Sequence, residues 1–203
     1  FRRVEEGEIS LSARVLLKEE DKAGGAGALQ EMHEGLEVTL RDCARLALVL
    51  SDNTASNILL DVVGMESVNS LLSQMGLHKT RFVKKFMAPP AFPGQMNTVA
   101  PAEMTRCLSR LWKKDLLSPE SSGEILEILK RQQFREKIPL RLPRELEVAN
   151  KTGEVSGVRH DCGILFIPER PIALSVFTRE VSDGTAADLF IADLALETCR
   201  AFT

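Results

Sequence analysis

The segment that decides the fold reads LEVANKTGEVSGVRHDCGILFIPERPIALSVFT and covers residues 146–178. It contains three short runs rich in Val, Ile and Phe, separated by turn residues, at Leu146–Asn150, Cys162–Ile167 and Ile172–Thr178. Runs of this length and composition predict strands. Because only Pro168 to Pro171 separates the last two runs, the segment predicts an antiparallel hairpin sheet.

Helical patterns dominate the sequence on either side of this segment. Apolar residues recur at three- and four-residue spacing from Thr39 to about Leu77, with a break at 51–53 and helix stops at Gly64 and Gly76. Further helices are predicted from Pro101 to about Trp112, from Pro119 to about Gln132 and from Thr185 to Ala201. The last has a broad apolar side and must pack on the sheet. Between them, residues 79–102 contain enough proline to predict a long loop.

This order of elements predicts an α+β fold, with an antiparallel sheet flanked by helices. We expect residues 1–203 to be the carboxyl-terminal major part of one domain. Its helical lobe covers about 1–140, and its sheet and closing helix cover about 141–203. Three strands are few for so many helices, so further strands are expected ahead of Phe1.

The composition argues against two kinds of partner, nucleic acid and a membrane that the chain would span. The net charge is −3, from 26 basic and 29 acidic residues that are well mixed, so no basic stripe for nucleic acid is present. The longest apolar run, Leu46–Leu50, is far too short to span a membrane. The four cysteines, which are never in C-x-x-C spacing, are expected to be packed free thiols rather than a disulfide framework or a metal site: Cys43, Cys107, Cys162 and Cys199.

Two tripeptides carry the functional signal. Ser51-Asp52-Asn53 lies at the break between two helices, and Lys151-Thr152-Gly153 is predicted at the end of a strand. Taken singly, Ser51 and Asn53 are explained by helix capping, the second tripeptide by an exposed turn and Arg159 by a solvated surface charge. Their order and contexts together favour a shared catalytic role over these separate explanations.

The pair resembles the second and third motifs of the serine β-lactamase and penicillin-binding protein superfamily. Similarity to class A-type sequence continues through most of the chain, at Leu40-Arg41-Asp42, Asn57, Asn97-Thr98 and residues 157–161. The resemblance implies a β-lactamase-like fold. It also implies an extracytoplasmic location, periplasmic or secreted.

The resemblance also implies roles for individual residues. Ser51 relays a proton to the leaving nitrogen, and Lys151 supplies a positive potential that keeps protons mobile and attracts the substrate carboxylate. The remaining residues bind substrate: the Asn53 amide holds its acylamide group, Thr152 and Arg159 hold its carboxylate, Gly153 lets it lie along the strand edge, and Glu154 offers a backbone N–H to the oxyanion.

Two departures from the family pattern affect the expected chemistry. No Ser-x-x-Lys occurs in the 203 residues, so the nucleophile is expected on an amino-terminal segment ahead of Phe1 that completes the protein. Residues 79–102, which match the loop of the deacylating glutamate, contain no Asp or Glu and carry Lys84-Lys85-Phe86 where an acid is needed. We therefore expect slow deacylation, unless Glu103 or an upstream carboxylate supplies the base.

The sequence thus predicts a serine hydrolase or acyltransferase that works through a covalent acyl-enzyme and needs no cofactor or metal. Its substrate is a small molecule or peptide with a carboxylate: a β-lactam, a D-alanyl peptide or an ester. The alternative is a non-catalytic member that keeps the fold as a binding or scaffolding module.

Overall fold

The computed structural model describes residues 1–203, which divide into two compact units at 1–100 and 101–203. The sequence analysis divided one domain into two lobes with a boundary near residue 140, and that division remains a prediction. In the observed division the helices between residues 101 and 129 group with the sheet. None of the helices combines the length and apolar character needed to cross a bilayer.

The first unit contains four α-helices, two short 3-10 helices (Glu19–Asp21 and Leu29–Glu31) and a small sheet. In chain order the α-helices and strands are α1 (Arg2–Glu5), β1 (Arg14–Leu16), β2 (Glu37–Thr39), α2 (Leu40–Val49), α3 (Asn53–Val63) and α4 (Met65–Gln74). Strands β1 and β2 pair antiparallel, a sheet that the sequence analysis missed. The core of the unit is formed by apolar residues of α2 and α3 and of the segment that precedes them: Leu17, Leu29, Val38, Cys43, Ala55 and Ile58.

Local sequence sets the limits of these helices. Thr39 and Asp42 form a capping box in which the Thr39 hydroxyl accepts a hydrogen bond from the Asp42 N–H at 3.1 Å. Asp52 caps α3 in the same manner by accepting from the N–H of Ala55 at 2.9 Å. Gly64 ends α3 with a φ of 79°, which agrees with the predicted helix stop.

The second unit places helices on a three-stranded antiparallel sheet. Its elements are α5 (Pro101–Lys113), α6 (Pro119–Leu129), β3 (Val148–Val155), β4 (Val158–Leu165), β5 (Ile172–Arg179) and α7 (Gly184–Phe202). The strand order is β3-β4-β5, so β3 is an edge strand. The predicted strands, their antiparallel hairpin and the closing helix on the sheet are confirmed.

The two faces of this sheet meet different helices. On one face, the Thr105 hydroxyl of α5 donates a hydrogen bond to the Ser175 hydroxyl of β5, and the two oxygens are 2.9 Å apart. Leu174 and Val176, which alternate with Ser175, instead pack against the cluster that contains Ile191 of α7. The sheet is thus covered on both sides, as the predicted α+β architecture requires.

Two predicted strand limits are wrong: β4 begins at Val158 rather than at Cys162, and β3 runs past its predicted end. The sequence analysis ended the first strand at Asn150 and put Lys151-Thr152-Gly153 after it. The antiparallel ladder instead continues through Val155, where a two-residue turn, Ser156-Gly157, leads into β4. The polar residues after Asn150 hid this extension because they lack the apolar content by which a strand is recognised.

Candidate active site

In the first unit, Ser51-Asp52-Asn53 forms the junction between α2 and α3. Ser51 has a φ of 53°, a left-handed conformation uncommon for a residue other than glycine, and it turns the chain sharply into α3. Strained single residues of this kind recur at functional sites.

Asp52 is completely buried and fully hydrogen-bonded. One carboxylate oxygen accepts from the N–H of Ala55, and the other accepts from the N–H groups of Ala28 at 2.6 Å and Leu29 at 2.9 Å. Three N–H donors satisfy a buried carboxylate without a cation. Asp52 therefore fixes the tripeptide to the preceding loop as well as capping a helix.

Asn53 is held by the same loop. Its amide nitrogen donates to the Gly24 carbonyl at 2.8 Å, and its backbone N–H donates to the Ala26 carbonyl at 3.1 Å. A primary amide has two N–H donors and an acceptor oxygen, so this contact leaves hydrogen-bonding capacity for a ligand. The segment of residues 24–27 is thus a cradle for Asp52 and Asn53.

Gly27 shows how closely the cradle fits. Its φ is 117°, and a Cβ added to it would lie 2.6 Å from the Cα of Asp52. Gly27→Ala is therefore expected to lower the free energy of unfolding by about 2 to 4 kcal/mol, from backbone strain plus overpacking. Urea unfolding monitored by circular dichroism measures this loss.

The matched control is Gly35→Ala. Gly35 also has a positive φ, 85°, but a Cβ there would meet nothing within 4 Å. It should cost only the strain, about 1 to 2 kcal/mol. Equal losses in the two variants would show that the Gly27 contact with Asp52 contributes nothing.

The long loop after α4 is ordered by three asparagine side chains. The Asn57 amide bonds both backbone groups of Phe86, accepting from its N–H at 2.8 Å and donating to its carbonyl at 3.1 Å. Asn69 does the same for Phe82, and Asn97 accepts from Val83 and Lys84. The backbone of residue 86 is therefore held by Asn57, while its ring packs edge to face on Phe82 with the centroids 5.8 Å apart.

A cleft of about 240 Å³ lies between this loop, α3 and the glycine cradle. Gly24, Asn57 and Phe86 line it, together with the ion pair of Lys85 and Asp61, whose Nζ and Oδ2 are 2.6 Å apart. The loop offers this cleft a cation and an aromatic ring. The loop itself contains no Asp or Glu between residues 79 and 102.

In the second unit, Lys151-Thr152-Gly153 lies in the middle of the edge strand β3. Thr152 is buried, whereas Lys151 and Gly153 are half-buried. The free edge of β3 keeps the backbone of the tripeptide in position for an added extended chain.

The surroundings of Lys151 change the pKa of its side chain. Burial lowers the pKa of Lys151 to about 8, although the neighbouring Cys162 and Asp161 oppose this shift. Its Nζ donates to the Thr152 carbonyl at 2.7 Å. A lysine with a pKa near 8 changes between a proton donor and an acceptor close to neutral pH.

Behind this tripeptide lies a buried polar pair that the sequence analysis did not anticipate. Asn150 and Asp161 are both fully buried, and the Asn150 amide nitrogen is 3.2 Å from each Asp161 oxygen. Burial raises the pKa of Asp161 to about 7, against the opposing effects of Asn150, the Ile138 N–H and Lys137. The pair connects the site strand to β4.

Arg159 lies on the adjacent strand β4, ahead of the predicted start of that strand, in register with Glu154. Its Nη2 is 3.0 Å from the Glu154 carboxylate, and its Nε is 3.8 Å from the Asp188 carboxylate of α7. Lys137, fully buried, contacts the same two acids at 3.4 and 3.5 Å and also Glu136 at 2.7 Å. Arg159 thus belongs to a cluster of five charged side chains, which we call the ion cluster.

The predicted site residues therefore fall into two groups. Ser51 and Asn53 lie together in the first unit, whereas Lys151, Thr152, Gly153, Glu154 and Arg159 lie together in the second. The four cysteines are free, as expected, and burial raises the thiol pKa of Cys43 to about 11 and of Cys162 to about 12, so neither is a competing nucleophile.

Comparisons with known proteins agree with these motifs. A sequence model of the Beta-lactamase enzyme family matches residues 1–202. A β-lactamase of Streptomyces albus G is 28% identical over 189 residues, which are 88% of this chain and 60% of that protein. A β-lactamase of Streptomyces fradiae is 30% identical, over 82% of this chain and 56% of that protein. The chain thus spans somewhat over half the length of these relatives.

Solved structures of the same family are similar throughout the chain. The crystal structure of a β-lactamase from Sphaerobacter thermophilus matches with a TM-score of 0.94 and 33% identity, covering 98% of this chain and 77% of that one. PBP-A matches with a TM-score of 0.89 and 25% identity, covering all of this chain and 76% of its own. A PBP-A variant solved as an acyl-enzyme complex with penicillin G gives the same values.

Proposed function

Since the chain belongs to the β-lactamase enzyme family, we propose that it supplies the substrate-binding residues of a serine hydrolase or acyltransferase that works through a covalent acyl-enzyme. The observation that carries this proposal is that one chain contains both a cradled Ser-Asp-Asn and a Lys-Thr-Gly on an edge strand. The substrates are β-lactams, D-alanyl peptides or esters that carry a carboxylate. Family membership also supports an extracytoplasmic location, periplasmic or secreted.

Ser51 and Asn53 act on the reacting amide in this proposal. The left-handed turn at Ser51 and the buried anchor at Asp52 hold the Ser51 backbone in one place, which positions its hydroxyl for proton relay. The Asn53 side chain, oriented by the Gly24 carbonyl, offers its second N–H to the acylamide group. Preorganised donors of this kind cost no reorganisation when the substrate binds.

Lys151, Thr152 and the strand edge act on the substrate's anionic end and on the oxyanion. The Lys151 ammonium attracts the carboxylate, and the Thr152 hydroxyl donates to it. Gly153 leaves the strand edge open, and the Glu154 N–H stabilises charge on the former carbonyl oxygen. Each charge-assisted hydrogen bond contributes roughly 1.5 to 3 kcal/mol.

The nucleophile completes this mechanism. The 203 residues contain no Ser-x-x-Lys, so the proposal requires a nucleophile from outside them. Its serine attacks the carbonyl carbon, the amine or alcohol leaves with a proton, and water or another acceptor later releases the acyl group. Experiments on turnover therefore use the protein with whatever its gene encodes ahead of Phe1.

Labelling with a fluorescent penicillin tests the proposal. A fluorescent band that survives denaturation is the expected result, because the acyl-enzyme is covalent. A non-catalytic binding module is the second candidate, favoured by the loop without acids and by the absence of Ser-x-x-Lys from this chain. That module would bind penicillin reversibly and leave no label after denaturation.

A further inference from the structure

We propose that the Glu154 carboxylate is an internal anion that occupies the Arg159 guanidinium and so selects against strongly anionic substrates. The inference deepens the proposed function and rests on its carboxylate site. The proposed function uses only the backbone N–H of Glu154, and this inference adds a specificity-determining role for the Glu154 side chain.

The geometry of the contact supports this role. Glu154 and Arg159 face each other across the β3–β4 ladder, and Glu154 Oε1 lies 3.0 Å from Arg159 Nη2. The other oxygen, Oε2, lies 3.4 Å from Lys137 Nζ. One carboxylate therefore contacts two cations, which is the arrangement that a bound substrate carboxylate would adopt there.

The guanidinium of Arg159 holds its carboxylate partner by a single bond, through Nη2. Its Nε is buried and faces the Asp188 carboxylate at 3.8 Å, so an incoming anion reaches Arg159 only by replacing Glu154 at Nη2. Its Nη1 donates only to backbone carbonyls, of Val158 at 3.1 Å and Val155 at 3.5 Å. A guanidinium can hold a carboxylate with two parallel bonds, and Glu154 makes only one.

The surroundings direct an incoming anion to the position of Glu154. A Cβ added to Gly184 would lie 2.6 Å from Arg159 Nη2, so the start of α7 closes one side of the guanidinium. Asp188 and Lys137 lie deeper, with side chains 19% and 0% exposed. Glu154 is 51% exposed, so it can swing into solvent at low cost.

Charge gives the direction of the effect. The ion cluster contains two cations and three carboxylates, so a substrate carboxylate must either displace Glu154 or meet a like charge. Glu154→Gln removes that charge and keeps the size of the side chain. It should therefore strengthen the binding of an anion while leaving a neutral ligand unaffected.

The test compares two small probes, N-acetyl-D-alanine and its neutral methyl ester, by NMR titration of the protein with whatever is encoded ahead of Phe1. We expect Glu154→Gln to bind the acid about tenfold tighter than the parent and the ester equally well. Glu197→Gln is the matched control, since it removes one charge from an exposed Arg–Glu pair at 2.6 Å on α7. It should change neither affinity.

A double variant tests whether the gain in acid binding depends on Arg159. Adding Arg159→Ala to Glu154→Gln should abolish the gain for the acid, with melting curves confirming that the protein is folded. Unchanged acid binding in Glu154→Gln, or a gain that persists without Arg159, would overturn the inference. Failure of the proposed function would be seen separately, as a parent protein that fluorescent penicillin does not label.

Discussion

Replacing Phe86 with glutamate is expected to speed hydrolysis of the acyl-enzyme by about 10² to 10⁴, the range of general-base catalysis. Residue 86 lies on the cleft, in the Lys84-Lys85-Phe86 stretch where the family resemblance implies an acid, and Asn57 holds its backbone through two hydrogen bonds. Because these bonds involve only the backbone of residue 86, they are kept when glutamate replaces the Phe86 ring, and the new carboxylate starts from the same backbone position. The decay of a penicillin adduct, followed by mass spectrometry, measures the rate.

Phe86→Gln is the control, because it has the shape of glutamate and no basic carboxylate. It should deacylate as slowly as the parent protein. Equal decay rates in parent, Gln and Glu variants would mean that this loop does not position the water. A parent that already deacylates rapidly, and slows on Glu103→Gln, would assign the base to Glu103 on α5 instead.

Replacing Lys151 with alanine is expected to slow acylation by a fluorescent penicillin at least about tenfold, since one charge-assisted hydrogen bond to the carboxylate is lost. The rate should also depend on pH. Because the pKa of Lys151 is lowered to about 8, its positive charge is present below pH 8 and disappears as the pH rises through that value. Acylation in the parent should fall over the same interval.

Lys151→Arg separates charge from proton transfer, because arginine stays protonated throughout this range. If Lys151 acts as a cation, the arginine variant should keep its rate between pH 7 and about 9. A loss of activity at every pH would instead show that the lysine must release a proton. Equal rates in Lys151→Ala and the parent would remove Lys151 from the mechanism.

Much of the fold follows from local sequence. The helix from Leu40 begins at a capping box, the next ends at Gly64, and the hairpin through residues 168–171 joins two apolar strands. Each of these features is encoded within a few neighbouring residues. The small sheet of Arg14–Leu16 and Glu37–Thr39 was missed because three residues are too few to show an alternating pattern.

The site was harder to predict because its supports are distant in sequence. Asp52 takes two of its three N–H donors from Ala28 and Leu29, more than twenty residues earlier, and no local pattern encodes that contact. The pairing of Glu154 with Arg159 could have been found. A two-residue turn at Ser156-Gly157 fixes the register that places them opposite each other.

The central claim is that this chain binds substrate for a covalent serine acyl-enzyme. Its most direct test is the intact mass of the protein, with whatever is encoded ahead of Phe1, after mixing with penicillin G, followed by mapping of the modified peptide. We predict a lasting mass increase of one penicillin, located on the serine of a Ser-x-x-Lys sequence. Absence of any adduct together with absence of penicillin hydrolysis would contradict the claim.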